Sequence, residues 1–226
     1  MSERLSAGRP ATAGPAGPAG PAGPAEPGDE ARPAVRMRLG VPGATQMRQL
    51  GARLAGLLRP ADLIVLAGSL GAGKTTLVQG IGEGLGVRGP VTSPTFVIAR
   101  VHPSLRGGPD LVHADAYRLG SALEVDDLDL DADLDHSVTV VEWGEGLVEG
   151  LATGHLRITI DRPVTGAEAA AWPEDGPDDG LRDQPRSVTV AGYGSRWEAA
   201  ADGLRAALAD SPGSAPVADP SAAPAR

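Results

Sequence analysis

The sequence predicts an α/β fold: a three-layer α/β/α sandwich around a mostly parallel sheet with some antiparallel strands. Three observations predict it. An apolar run at residues 63–67 (LIVLA) stops at Gly68, a glycine-rich loop follows, and Leu77, Ile81 and Leu85 then recur at helical spacing. Short β-branched or alternating runs, set apart by turn residues, recur at 35–41, 111–114, 137–141, 156–160 and 187–191. The length of 226 residues suits one α/β domain with extensions, and a core of that size can be buried without help.

The loop itself carries the first chemistry. Gly68, Gly73, Lys74 and Thr75 fill every fixed position of G-x-x-x-x-G-K-[ST]. Gly71 and Gly73 let the backbone curl until successive N–H groups converge on phosphate oxygens, with Ala72 between them and Thr76 beyond. A helix beginning near Lys74 adds the positive end of its dipole. Lys74 can reach the β- and γ-phosphates, and the Thr75 hydroxyl can ligate an accompanying magnesium ion. The expected fold is therefore P-loop NTPase-like, and the expected ligand is a nucleoside triphosphate.

Taken in order, residues 1–33 are rich in Ala, Gly and Pro, with four G-P-A triplets between Gly14 and Ala25. Such a stretch cannot offset its ordering entropy and is expected to be a disordered arm. Residues 35–41 (VRMRLGV) alternate as a first strand, ended by Pro42 and Gly43. Residues 44–58 place Met47, Leu50, Leu54, Leu57 and Leu58 on one helical face, with Thr45 near the start as its cap. After the phosphate loop, Gly86 stops the second helix. Residues 93–96 (SPTF) make a stiff, extended entry to a strand at 96–101. A strand at 111–114 ends at Asp115, and one at 137–141 ends at Glu142 and Trp143.

Residues 123–135 are crowded with acids. Asp129, Asp131 and Asp133 imitate a calcium loop, but the required glycine and glutamate are Leu134 and Val140. That reading fails, and a solvated acidic turn with short helical pieces is expected. Residues 156–160 and 187–191 are the last strands. Between them, 162–186 reads as a flexible insertion. Trp197, Ala200, Ala201, Leu204 and Leu208 suit a closing helix, and 210–226 returns to a disordered tail. The P-loop domain is thus expected at 34–209.

Composition removes several functions. There is no cysteine, which excludes disulfides and thiolate metal sites. The net charge of -9 argues against an unaided grip on a nucleic acid backbone. No apolar run approaches membrane-spanning length and the first residues lack an export signal's apolar core, so a cytoplasmic protein without membrane attachment is expected. The four histidines show no ligand spacing and read as surface or strand residues.

A phosphate loop needs a carboxylate at the end of a neighbouring strand, where ligands sit in open α/β sheets. Asp115 and Glu142 both qualify and read as a metal-and-water pair, and the hydroxyls of Ser93 and Thr95 could approach the γ-phosphate.

The ordered set G-x-L-G-A-G-K-T-T, S-P-T-F, D-x-Y-R and V-E-W resembles the TsaE (YjeE) family, from about residue 35 to 208. Those proteins are bacterial ATPases needed for threonylcarbamoyladenosine at position 37 of tRNAs reading codons that start with A. The resemblance implies ATP and Mg²⁺ as cofactors, held by residues 71–76, with Thr75 on magnesium. It implies Glu142 as the acid for magnesium and water, Asp115 as the aspartate required for turnover, and residues 93–96 as a switch-like loop. Trp143 matches the family's tryptophan beside the acid. Adenine would lie near Ala44 and Thr45. The implied partners are TsaD and TsaB, with tRNA reached only through them.

Two other readings stay open on the residues. A small-molecule kinase uses the same loop, although the segment after Asp115 is acidic where kinases carry an arginine-bearing lid. A binding module that never hydrolyses its nucleotide is the other. A GTPase fits less well, because no N-K-x-D element is present.

Overall fold

Alternating apolar runs and two helices that share glycines at their contact build the core. The computed structural model describes residues 32–94, 98–119, 134–162 and 185–209, all within one unit of the chain, Arg32–Arg226. The readings for 1–31, for 163–184 and for 210–226 lie outside the described residues, as does most of the acidic stretch.

Seven strands form one sheet: β1 (Val35–Val41), β2 (Leu63–Ala67), β3 (Ala99–His102), β4 (Asp110–Asp115), β5 (Ser137–Glu142), β6 (His155–Asp161) and β7 (Arg186–Tyr193). Their order is β1-β7-β6-β2-β5-β4-β3. The centre is parallel, β6 with β2, β2 with β5 and β5 with β4. The margins are antiparallel, β1 with β7, β7 with β6 and β4 with β3.

Strand alternation sorts the side chains onto two faces. Ile64 and Leu66 of β2, Val138 and Val140 of β5 and Leu156, Ile158 and Ile160 of β6 join the larger core cluster. That cluster includes α1 (Ala44–Ala55), α2 (Lys74–Leu85), α3 (Ser195–Ala199) and α4 (Ala201–Ala209) through Met47, Leu50, Leu77, Ile81, Trp197, Leu204 and Leu208. Leu63 and Val65 face the other way, with Val112, Ala114, Val141 and Val148. Leu147, Leu151 and Ala152, around a 3₁₀ turn at Glu149–Leu151, cover that smaller cluster.

Several local readings need correction. The first helix ends at Ala55, not Leu58, because Gly56 closes it and sends Leu57 and Leu58 into a turn. Its N-cap is Gly43, with no side-chain cap bond, so Thr45 is not the cap and lies exposed inside the first turn. The third strand is described from Ala99 to His102, and Ile98 before it sits at φ 68°, which interrupts extended pairing; the expected start at Phe96 lies outside the described residues. The closing helix is two helices, broken at Ala200 (φ -96°, ψ 3°).

Candidate functional site

The parallel centre brings the carboxyl ends of β2, β4 and β5 to one edge. Register places Leu66 beside Glu142, and Asp115 beside Glu142. Trp143, just past β5, donates its N–H to the Leu66 carbonyl at 2.9 Å, tying the two strand ends together. Trp143 holds a left-handed φ of 62°, a conformation that bulky residues rarely adopt outside over-determined sites.

The loop after β2 takes backbone conformations that only glycine adopts freely. Gly68, Gly71 and Gly73 have φ of 136°, 73° and 111°. A Cβ at Gly68 would overlap the Ile160 carbonyl of the adjoining strand. Gly73 is the N-cap of α2, so the helix starts at Lys74 and its first N–H groups open toward the loop. Ala72 is buried and seals the loop from beneath.

Lys74 is buried, and Nζ donates to the carbonyls of Gly68 (2.8 Å) and Ser69 (3.2 Å). The Trp143 ring lies over the ammonium, 3.9 Å from Nζ to centroid, and Tyr117 packs on that ring at 5.4 Å. Burial pulls the lysine below its ordinary pKa, and the nearby carboxylates of Glu142 and Asp115 pull it back up. One cation and two acids therefore share this end of the sheet.

Glu142 is buried, and its Oε1 accepts the Thr75 hydroxyl at 2.8 Å. The same oxygen lies 2.9 Å from Nε2 of His113, a fully buried residue of β4. An ionised carboxylate only accepts, so Nε2–H is the donor. Asp115 accepts the Tyr117 N–H at 2.9 Å and holds the turn leaving β4. A hydroxyl and a carboxylate facing one phosphate loop fit magnesium, which takes one or two protein carboxylates plus phosphate and water. Among the described residues no group of three His, Cys, Asp or Glu could form a dedicated cage.

The structure thus brings Lys74, Thr75, Glu142 and Asp115 together. Gly71, Ala72, Gly73 and Thr76 line a cavity with Gly43, Ala44, Met47 and Arg186. Thr45 is exposed, one residue past that lining. Ser93 is exposed on the link after α2, and Thr95 lies outside the described residues. Sequence reasoning missed two features. His113 stands two residues before Asp115, so strand alternation puts it on the same face, a usable signal. Arg162 and Arg186, noted only as the bounds of an insertion, both reach the phosphate loop; pairing of strands far apart in sequence puts them there.

A glycine loop joining a buried strand to a helix, at the carboxyl edge of a parallel sheet centre, defines a P-loop fold. The crystal structure of Bacillus subtilis YdiB matches this chain at a TM-score of 0.56 and 26% identity, covering 76% of this chain and 95% of that one. The family model for threonylcarbamoyl adenosine biosynthesis protein TsaE matches residues 41–168. Curated relatives named tRNA threonylcarbamoyladenosine biosynthesis protein TsaE agree. That of Streptomyces coelicolor is 61% identical over 68% of this chain and 95% of its own. The Mycobacterium tuberculosis H37Rv protein is 50% identical over 54% of this chain and 77% of its own, and the Bacillus subtilis protein 34% over 64% and 78%. The chain belongs to the TsaE family.

Among the described residues, no helix is long and apolar enough to cross a membrane.

Proposed function

We propose that this protein is a cytoplasmic ATPase subunit in the formation of threonylcarbamoyladenosine at position 37 of tRNAs reading codons that begin with A. It acts with TsaD and TsaB and meets tRNA through them. One observation carries the catalytic part of the reading: the Thr75 hydroxyl and the Glu142 carboxylate meet at 2.8 Å directly beside the phosphate loop. Magnesium would be held by Thr75 and Glu142, with Asp115 beside them, and supplies charge neutralisation at the β- and γ-phosphate oxygens. Lys74 leaves the carbonyls of Gly68 and Ser69 for the incoming phosphates. Glu142 and Asp115 orient a water for attack on the γ-phosphorus; the bond to the bridging oxygen breaks, giving ADP and phosphate. Release of the γ-phosphate frees the Asp115 turn, which resets the assembly.

ATP hydrolysis titrated against purified TsaB–TsaD tests this, with wild type, Lys74→Ala and Glu142→Gln in parallel. The expected result is a slow intrinsic rate raised by the partners. Glu142→Gln should bind ATP within a few-fold of wild type yet lose about a hundredfold or more in turnover. Undiminished turnover in Glu142→Gln, or no stimulation by the partners, overturns the reading.

A further inference from the structure

Three arginines stand along the β3 margin of the sheet. Residues 103–106, running on from β3, lie antiparallel to residues 86–88. The Arg88 N–H donates to the Pro103 carbonyl at 2.8 Å, the Leu105 N–H donates to the Gly86 carbonyl at 3.0 Å, and Val87 bridges Ser104. The Arg106 side chain lies against Gly86, its Cδ 2.6 Å from where a Cβ there would stand. Arg100, on β3 itself, donates from Nη1 to the Thr92 hydroxyl at 2.9 Å. All three arginines are exposed, and among the described residues none of them has an acidic partner. Of the acids nearby, Asp110 accepts the Ser104 N–H at 2.7 Å and Glu83 pairs with Arg48 at 3.6 Å. Arg and Lys outnumber Asp and Glu among the described residues, although the full chain carries a net charge of -9.

Among the described residues β3 is the last strand of the sheet, so one side of its backbone faces outward. The Ile98 carbonyl accepts the Asp115 N–H at 2.8 Å. In an antiparallel ladder that turns Arg100 and His102 toward β4 as well, and leaves the N–H and C=O of Ala99 and Val101 pointing away from it. Such an edge is a template for another strand. Val101 and Leu105 are 48% and 63% exposed, so apolar side chains are interleaved with the arginines. That mixture suits a protein surface, where arginine is enriched at interfaces. Valine and leucine offer nothing to a phosphate backbone, and residues 86–92 and 99–106 hold no Phe, Tyr or Trp on which bases could stack.

We infer that the β3 edge is a docking surface for an extended, acidic segment of a partner protein. The segment adds beside β3 through the outward backbone of Ala99 and Val101 and sets its carboxylates on Arg88, Arg100 and Arg106. Backbone pairing gives such a contact its affinity, and the charges give it register and a fast encounter. This inference rests on the partner reading above and adds where, and by what chemistry, the partner holds on.

Calorimetric titration of the full chain with purified TsaB–TsaD in Mg-ATP, at low and high salt, tests it in wild type, Arg88→Glu/Arg106→Glu and Val101→Pro. Proline is tolerated on an edge strand where the N–H faces outward, so Val101→Pro removes one donor of the pairing and leaves the β3–β4 ladder whole. Each variant should hydrolyse ATP alone at the wild-type rate and bind TsaB–TsaD about tenfold more weakly, or worse. Added salt should weaken wild-type binding and have much less effect on the charge variant. Should Val101→Pro fail to fold, the charge variant decides. Wild-type affinity in either folded variant overturns the inference. So does a gel shift in which the isolated wild type binds tRNA and the charge variant does not, which assigns the arginines to a nucleic acid. Wild type that does not bind TsaB–TsaD sinks the partner reading itself; wild type that binds while a folded variant matches it sinks only this one.

Discussion

Glu142 presents one oxygen to two donors, the Thr75 hydroxyl and His113 Nε2. The histidine holds that carboxylate from beneath, while its Nδ1 is buried without a hydrogen-bond partner among the described residues. Such an arrangement fixes the carboxylate rotamer before any ligand arrives, and outer partners of this kind typically matter by 10- to 100-fold in metal affinity or activity. His113→Ala should therefore lower kcat by about tenfold to a hundredfold, with ATP affinity within about twofold. His113→Gln, which can present an N–H to the same oxygen, should recover part of the loss. Steady-state kinetics beside calorimetry separates the two quantities. An unchanged kcat in His113→Ala would show that Thr75 alone positions the acid. The residue-scale reading of the sequence found Glu142, Asp115, Lys74 and Thr75, because each terminates a strand or sits in a fixed motif. It passed over His113 because a lone histidine in an apolar strand carries no spacing signal until its face is compared with that of Asp115.

At the scale of elements, α1 and α2 meet through glycines. A Cβ on Gly51 would overlap the Leu77 carbonyl, and one on Gly80 would overlap the Arg48 carbonyl. A Cβ on Gly84 would lie 2.5 Å from the Ala55 Cβ. Close backbone approach lets the helix after the phosphate loop sit against the helix that borders the Gly43–Ala44 cavity, so this contact also shapes the site. Helix propensity favours Gly80→Ala by about 1 kcal/mol. Overpacking opposes it by about 1–3 kcal/mol, and here the obstacle is backbone that cannot rotate away. Gly80→Ala should thus be destabilising on balance, lowering the denaturant midpoint with an unchanged slope. Gly150→Ala, at a position with nothing within 4 Å, should leave the midpoint where it is. A midpoint raised by Gly80→Ala would mean the helices can separate at little cost. The elements themselves were readable to within a residue or two for β1, β2, α2, β4 and β5, since each is a local run with its own punctuation. The departures have local causes too. Gly56 closes α1 in ordinary right-handed backbone (φ -65°) instead of a distinctive turn, and Ile98 takes a left-handed φ that no residue type there announces.

The whole molecule is organised by a strand order that local patterns do not encode. β2 lies between β5 and β6, and β1 reaches the sheet only through β7. That order gathers the phosphate loop, Asp115 and Glu142 at one edge, and it also carries Arg162 and Arg186 to the loop's far side; the first group was legible from motifs and the second was not. Because the site draws on β2, β4, β5, β6 and β7, a ligand there binds only the folded chain, and its binding energy becomes folding energy. At a hundred times its dissociation constant such a ligand adds about 2.7 kcal/mol to stability. For a domain of this size each kcal/mol moves the melting midpoint by roughly 2–4 °C. Mg-ATP should therefore raise the midpoint of the full chain by roughly 5–10 °C, and chelation of the metal should remove much of that rise. Glu142→Gln should keep most of the rise, since it leaves the amide cradle, Lys74 and Thr75 in place and weakens binding by only a few-fold, whereas Lys74→Ala should lose it. The Lys74 variant carries a second expectation of opposite sign. Its ammonium is held below its ordinary pKa chiefly by burial, so the unfolded chain binds that proton more tightly than the folded one. The resulting cost is fully present below the folded pKa and is relieved only as pH rises toward 10.5. At neutral pH, ligand-free Lys74→Ala should consequently lose less stability against wild type than it does near pH 10.5, while failing to respond to Mg-ATP. Thermal melts of the three chains with and without nucleotide check both statements, and a Lys74→Ala protein that gains as much from Mg-ATP as wild type would show that the ligand binds somewhere other than this loop.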